Sequence, residues 1–94
     1  MAAFDDLMRY QRETVALEQV AGRLGWDQET MMPKGAGEQR AEEMAAISTV
    51  LHQRRSAAQV GDWLAQIDDS DLPPEAQAQV RLIRRDYDRT TRLP

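Results

Sequence analysis

Leu7, Tyr10, Thr14, Leu17, Ala21 and Leu24 recur at alternating steps of three and four residues. That spacing draws one stripe along the side of a helix and does not fit a strand, whose faces alternate at every residue. It predicts a long helix over residues 4–24, with Met8 and Val20 widening the stripe. Arg9, Arg12, Glu13, Glu18 and Arg23 take the remaining surface. Gly25 follows the last stripe residue. A left-handed cap is common at such a position, so the helix is expected to stop there.

The same reasoning extends down the chain. A second helix over 37–55 carries Arg40, Met44, Ile47, Leu51 and Arg54 on its stripe, with Ala41, Ala45 and Val50 alongside. Glu38, Glu42 and Glu43 at its start, and His52, Arg54 and Arg55 at its end, oppose the helix dipole. Ser56-Ala57-Ala58-Gln59 has the form of a capping box. It is expected to open a short helix over 57–67, with Val60, Leu64 and Ile67 on one face and Trp63 beside them. Asp68-Asp69-Ser70-Asp71-Leu72-Pro73-Pro74 is the clearest break. The last helix, over 73–92, accepts proline in its first turn and carries Ala76, Val80, Ile83 and Tyr87 on its stripe. No segment alternates strictly. The expectation is therefore an all-α fold, an antiparallel helical array of about four helices in one small domain of 94 residues.

Composition agrees with that class and removes several functions. Apolar residues make up 41% but aromatics only 5%, so the core must come from Leu, Ile, Val, Met and Ala. The net charge of −4 opposes nucleic acid as the main partner, because phosphate binding rests on surplus Lys and Arg. With no cysteine, disulfides and thiolate metal sites are impossible. Asp5 and Asp6 lie where a signal peptide would be basic, and no apolar run approaches the roughly 18 residues of a membrane span. A cytoplasmic protein without a membrane partner is expected.

Catalytic groups are hard to find. The single histidine, His52, has no partner at metal-ligand spacing and reads as a surface residue near a helix end. Gly35-Ala36-Gly37 lacks the lysine and the preceding strand of a phosphate loop. No serine has an evident base. No catalytic and no metal residue is assigned, and no cofactor is expected in this chain. Arg81, Arg84, Arg85, Arg89 and Arg92 form a basic stretch broken by Asp86 and Asp88. A phosphate-binding face is one reading. A solvated helix end, with Asp88 and Arg92 pairing at i,i+4, is the preferred one, since no aromatic interleaves.

The stretch Gly25-Trp26-Asp27-Gln28-Glu29-Thr30-Met31-Met32-Pro33 is too apolar for an ordinary loop. Asp27 and Glu29, one residue apart, do not by themselves define an acid–base pair. In a structural reading, Asp27 accepts from the amides of Glu29 and Thr30 as an Asx-turn would. Trp26 folds back over the end of the first helix, and Pro33 holds Met32 extended. Such a loop is expected to press against something.

Leu24 to Pro33, followed by Gly35, Gly37 and Arg40, resembles the N-terminal region of the carboxypeptidase Taq family of zinc metallocarboxypeptidases. The resemblance continues through the third helix and Val80 to Arg89, ending at Leu93-Pro94. Its most specific part is Trp-Asp-x-x-Thr-x-Met-Pro, here Trp26, Asp27, Thr30, Met32 and Pro33. The resemblance implies a much longer, almost wholly helical enzyme with a deep cleft. That enzyme would remove C-terminal residues from peptides with a metal, usually zinc, held by a His-Glu-x-x-His helix and a downstream glutamate. Those motifs lie beyond position 94 in the family, so no ligand is carried over. The five matching residues are given an architectural role. On this reading the chain is a non-catalytic N-terminal segment, a scaffold, cleft wall or lid. Its partners would be the missing catalytic part of its own chain and a second copy, with peptide substrate bound only at full length. The alternatives are a free-standing helical interaction module, and a nucleic-acid accessory protein using Arg84 and Arg85.

Overall fold

The computed structural model describes the backbone of residues 2–30 and 37–92, and the side chains of residues 2–26 and 37–92. Helix α1 spans Ala2–Thr30, α2 Gly37–Ser56, α3 Ala58–Gln66 and α4 Pro74–Arg92, with a short 3-10 turn at Asp69–Asp71. No strand occurs among the described residues, so the chain is all-α. Ala57 alone separates α2 from α3. The described residues thus form three helical runs, one of them broken at Ala57, where the sequence predicts about four separate helices.

Two boundaries differ from expectation. Gly25 does not end α1, which continues to Thr30. The residues after Gly25 are all tolerated in a helix, so the hydrogen-bond ladder has no reason to stop there. The second difference lies at Ser56. It is the last residue of α2, and Ala57 is the N-cap of α3, with φ −62° and ψ 134° and no side-chain cap bond. A capping box needs its serine in extended backbone, and here the alanine takes that conformation. Pro74 behaves as the sequence predicts. It stands first in α4, where the amide it lacks would have no partner within the helix. Gln77 N–H donates to Pro73 O at 3.0 Å, and the Gln77 side chain reaches back to Leu72 O at 2.9 Å.

The chain divides into two compact units, Met1–Gln11 with Arg55–Pro94, and Arg12–Arg54. In the first, Ala3, Leu7, Val60, Leu64, Ile67 and Val80 form the buried core, with Leu7 and Val80 fully enclosed. Phe4, Met8, Trp63, Leu72, Ile83 and Tyr87 pack around it. Tyr10 meets Trp63 edge to face, with ring centroids 5.4 Å apart. That arrangement brings a positive ring edge to a negative ring face. Helices α3 and α4 run antiparallel, since Gly61 lies against Tyr87 while Leu64 and Ile67 lie against Arg84.

The second unit is built differently. Leu17, Ala21, Leu24, Met44 and Ile47 are only half-buried on the two predicted stripes, and among the described residues of this unit Leu51 is the buried apolar one. Val20, expected to widen the α1 stripe, is 42% exposed. Thr14, a stripe position, is 3% exposed and takes a hydrogen bond from Arg54 Nε at 3.0 Å. Arg54 Nη2 also pairs with Glu13 Oε1 at 3.1 Å. Placing Arg54 on the α2 stripe and Thr14 on the α1 stripe is therefore correct, and the two stripes meet through a polar contact.

Candidate functional site

Helix α3 is only nine residues long, and its last carbonyls have no intrahelical donors. Ile67 N–H closes on Leu64 O at 3.3 Å, and the chain then turns into the acidic break. Arg84, one turn after Val80 on α4, supplies what is missing. Its Nη2 donates to Leu64 O at 2.9 Å and to Ile67 O at 3.3 Å. The same nitrogen lies 3.2 Å from Asp69 Oδ1, while Nη1 donates to Asp69 Oδ2 at 3.4 Å. A planar guanidinium suits this position because its forked donors serve carbonyls and a carboxylate together, at the negative end of the α3 dipole. Asp68 orders the start of the same turn. It accepts from Ser70 Oγ at 2.7 Å and from Ser70 N–H at 3.0 Å. The Ser70 hydroxyl, and then its amide, hold the Asp68 carboxyl below its usual range.

Beside this clasp lies an open cleft of about 350 Å³, lined by Gly61, Leu64, Ala65, Ile67, Arg84, Tyr87 and Asp88. Gly61 is required by space: a Cβ there would stand 2.6 Å from the Tyr87 hydroxyl and 3.0 Å from two ring carbons. The cleft places no base beside a nucleophile, and its guanidinium already serves two carbonyls and a carboxylate. Its chemistry is that of a helix junction.

The residues singled out in the sequence fall elsewhere. Gly25 to Thr30 form the end of α1 rather than a loop. The Asx-turn expected at Asp27 rests on a side chain that lies outside the described residues. Trp26, expected to fold back over the helix end, is 60% exposed. The Asp27 and Thr30 side chains, together with Met32 and Pro33, lie outside the described residues. His52 is exposed on α2. Of the five clustered arginines, Arg84 turns to α3 while Arg81, Arg85, Arg89 and Arg92 are exposed. The ion pair on α4 is Asp86–Arg89 at 3.5 Å, rather than the expected Asp88–Arg92. The Arg84 clasp escaped the sequence reading, although a signal was present. Arg84 stands four residues after Val80 and three before Tyr87, on the core stripe of α4, just as Arg54 stands on that of α2.

No group of three or more His, Asp or Glu could hold a metal ion among the described residues. No described helix is long and apolar enough to cross a membrane.

Comparison with known proteins supplies what the geometry does not. Residues 6–94 match the family described as carboxypeptidase Taq (M32) metallopeptidase. The chain is also 38% identical, over 97 aligned positions, to thermostable carboxypeptidase 1 of Thermus thermophilus. That alignment takes in 99% of this chain but 19% of the relative, so the chain spans about a fifth of its length. The match runs through α1, the α3–α4 junction and the arginine-rich last helix, and the chain belongs to the carboxypeptidase Taq (M32) metallopeptidase family.

Proposed function

We propose that this chain is the N-terminal, non-catalytic helical part of a zinc-dependent metallocarboxypeptidase that releases C-terminal amino acids from peptides. The carrying observation is a family match over residues 6–94 that spans 19% of the relative's length. No metal-ligand group occurs among the described residues, and in the proposed longer protein the ligands would be supplied by a His-Glu-x-x-His helix and a glutamate downstream of this segment. When bound there, the metal would polarise the scissile carbonyl and activate water. The present residues would act as scaffold. The α3–α4 junction, fixed by Arg84, holds two helices in register, and the end of α1 brings Trp26 and its neighbours to the catalytic body. A wall of this kind excludes water from the reaction. The isolated chain, with its contact surface uncovered, would also self-associate as a dimer through its helix stripes.

The test compares three preparations acting on an N-blocked dipeptide: the natural-length polypeptide, the same polypeptide lacking residues 1–94, and the isolated chain. Activity sensitive to chelation in the first alone, with zinc bound by the first and not by the third, supports the proposal. Activity that survives loss of residues 1–94 would contradict a scaffold role. A natural-length polypeptide without peptidase activity would favour a helical interaction module instead.

A further inference from the structure

Helix α4 is two-faced in charge as well as in polarity. Val80, Arg84 and Tyr87 point into the α3 junction. At 3.6 residues per turn, Arg81, Leu82, Arg85, Arg89 and Arg92 fall within one sector of about 100° on the other side. All five are exposed, and Leu82 is 57% so. No acidic residue falls inside the sector; Asp86, which pairs with Arg89, and Asp88 stand at its flanks. A cationic strip with an apolar side chain at one edge thus runs for about three turns in a chain whose net charge is −4.

We propose that this face docks an acidic helix of another polypeptide, one carrying carboxylates at i,i+4 spacing and an apolar side chain for Leu82. Charge sign and spacing carry the choice. Guanidinium forks pair two-pronged with carboxylates, and Arg81 with Arg85 repeats the spacing that such carboxylates have on a helix. A single-stranded phosphodiester polymer fits worse, because no aromatic platform lies within the strip. Leu82 makes the surface more than a solvated charge run, since an apolar contact lends register to otherwise mobile ion pairs.

The test is fluorescence anisotropy of a labelled 18-residue helical peptide with Glu at i,i+4 and one Leu every second turn, titrated with the natural-length polypeptide. Saturable binding is expected, weakening with added salt. The double variant R81E/R85E should lower affinity at least about tenfold, and Leu82→Gln should lower it severalfold. All three positions are exposed, so folding is retained, and the circular dichroism melt of each variant checks this. Absence of saturable binding at low salt overturns the proposal, as does binding that R81E/R85E leaves unchanged. An oligodeoxynucleotide of equal charge binding as tightly as the peptide would also overturn it, making the strip a general polyanion surface. Peptide binding to the isolated chain but not to the natural-length polypeptide would show that the polypeptide's own remainder covers the face, and would overturn it as well.

Discussion

Gly61 and Tyr87 are fitted to one another: a single added carbon at position 61 would stand 2.6 Å from the phenol oxygen. A glycine inside a helix costs about 1 kcal/mol relative to alanine, so its presence in α3 reflects the close approach of the ring. Gly61→Ala should therefore destabilise by about 1 kcal/mol, the clash outweighing the gain in propensity. In a Tyr87→Ala background the same change should stabilise by about 0.5–1 kcal/mol. Urea unfolding of the four proteins measures the sign reversal. Equal effects in both backgrounds would mean that the contact has no energetic consequence.

Arg84 joins α4 to the end of α3 through two carbonyls and Asp69. Arg84→Met should cost about 1–3 kcal/mol, because the carbonyls lose a charged donor. Asp69→Asn should cost less, about 0–1 kcal/mol, since it leaves the carbonyl bonds in place at a partly solvated pair. Thermal melts of the two variants decide the order, and a larger loss for Asp69→Asn would refute the capping role.

Asp68 is exposed and its carboxyl is held below the ordinary 3.8 by Ser70. A lowered carboxylate pKa contributes stability that is present above the unfolded value and lost as pH falls through the folded one. The contribution should thus be complete above about pH 4–5 and fade below 3.8. Side-chain NMR titration should place Asp68 below 3.8, and Ser70→Ala should raise it.

The two units differ in what holds them. Among the described residues, six of the seven buried apolar side chains lie in the unit of residues 1–11 and 55–94, which leaves Leu51 to the other. Hydrogen exchange should therefore be slower for the amides of Leu64 and Val80 than for those of Leu17 and Ile47. Uniform protection across the four would show a single cooperative unit.

The apolar stripes were legible because burial repeats with the helix. Leu7, Leu51, Val60, Leu64, Ile67 and Val80, all assigned inward by spacing, are buried. Helix ends were less legible. Gly25 and Ser56 are residues that can end or begin a helix, but a cap depends on backbone conformation, which neighbours and tertiary contacts decide. The Arg84 clasp and the Gly61–Tyr87 contact depend on which helices become neighbours. A single sequence shows Arg84 on a stripe but not the carbonyls that await it. Whether a catalytic centre accompanies these helices is illegible in principle from 94 residues that span 19% of the matched relative's length.

The most direct measurement of whether the chain belongs to a longer metallocarboxypeptidase is the mass of the native polypeptide, by immunoblot of source-cell extract with antibody raised against residues 1–94. The expected result is a band roughly five times the 10.7 kDa of this chain, in keeping with its 19% share of the relative. A sole band at 10.7 kDa would contradict a scaffold attached to its enzyme and would make the family relationship one of ancestry alone.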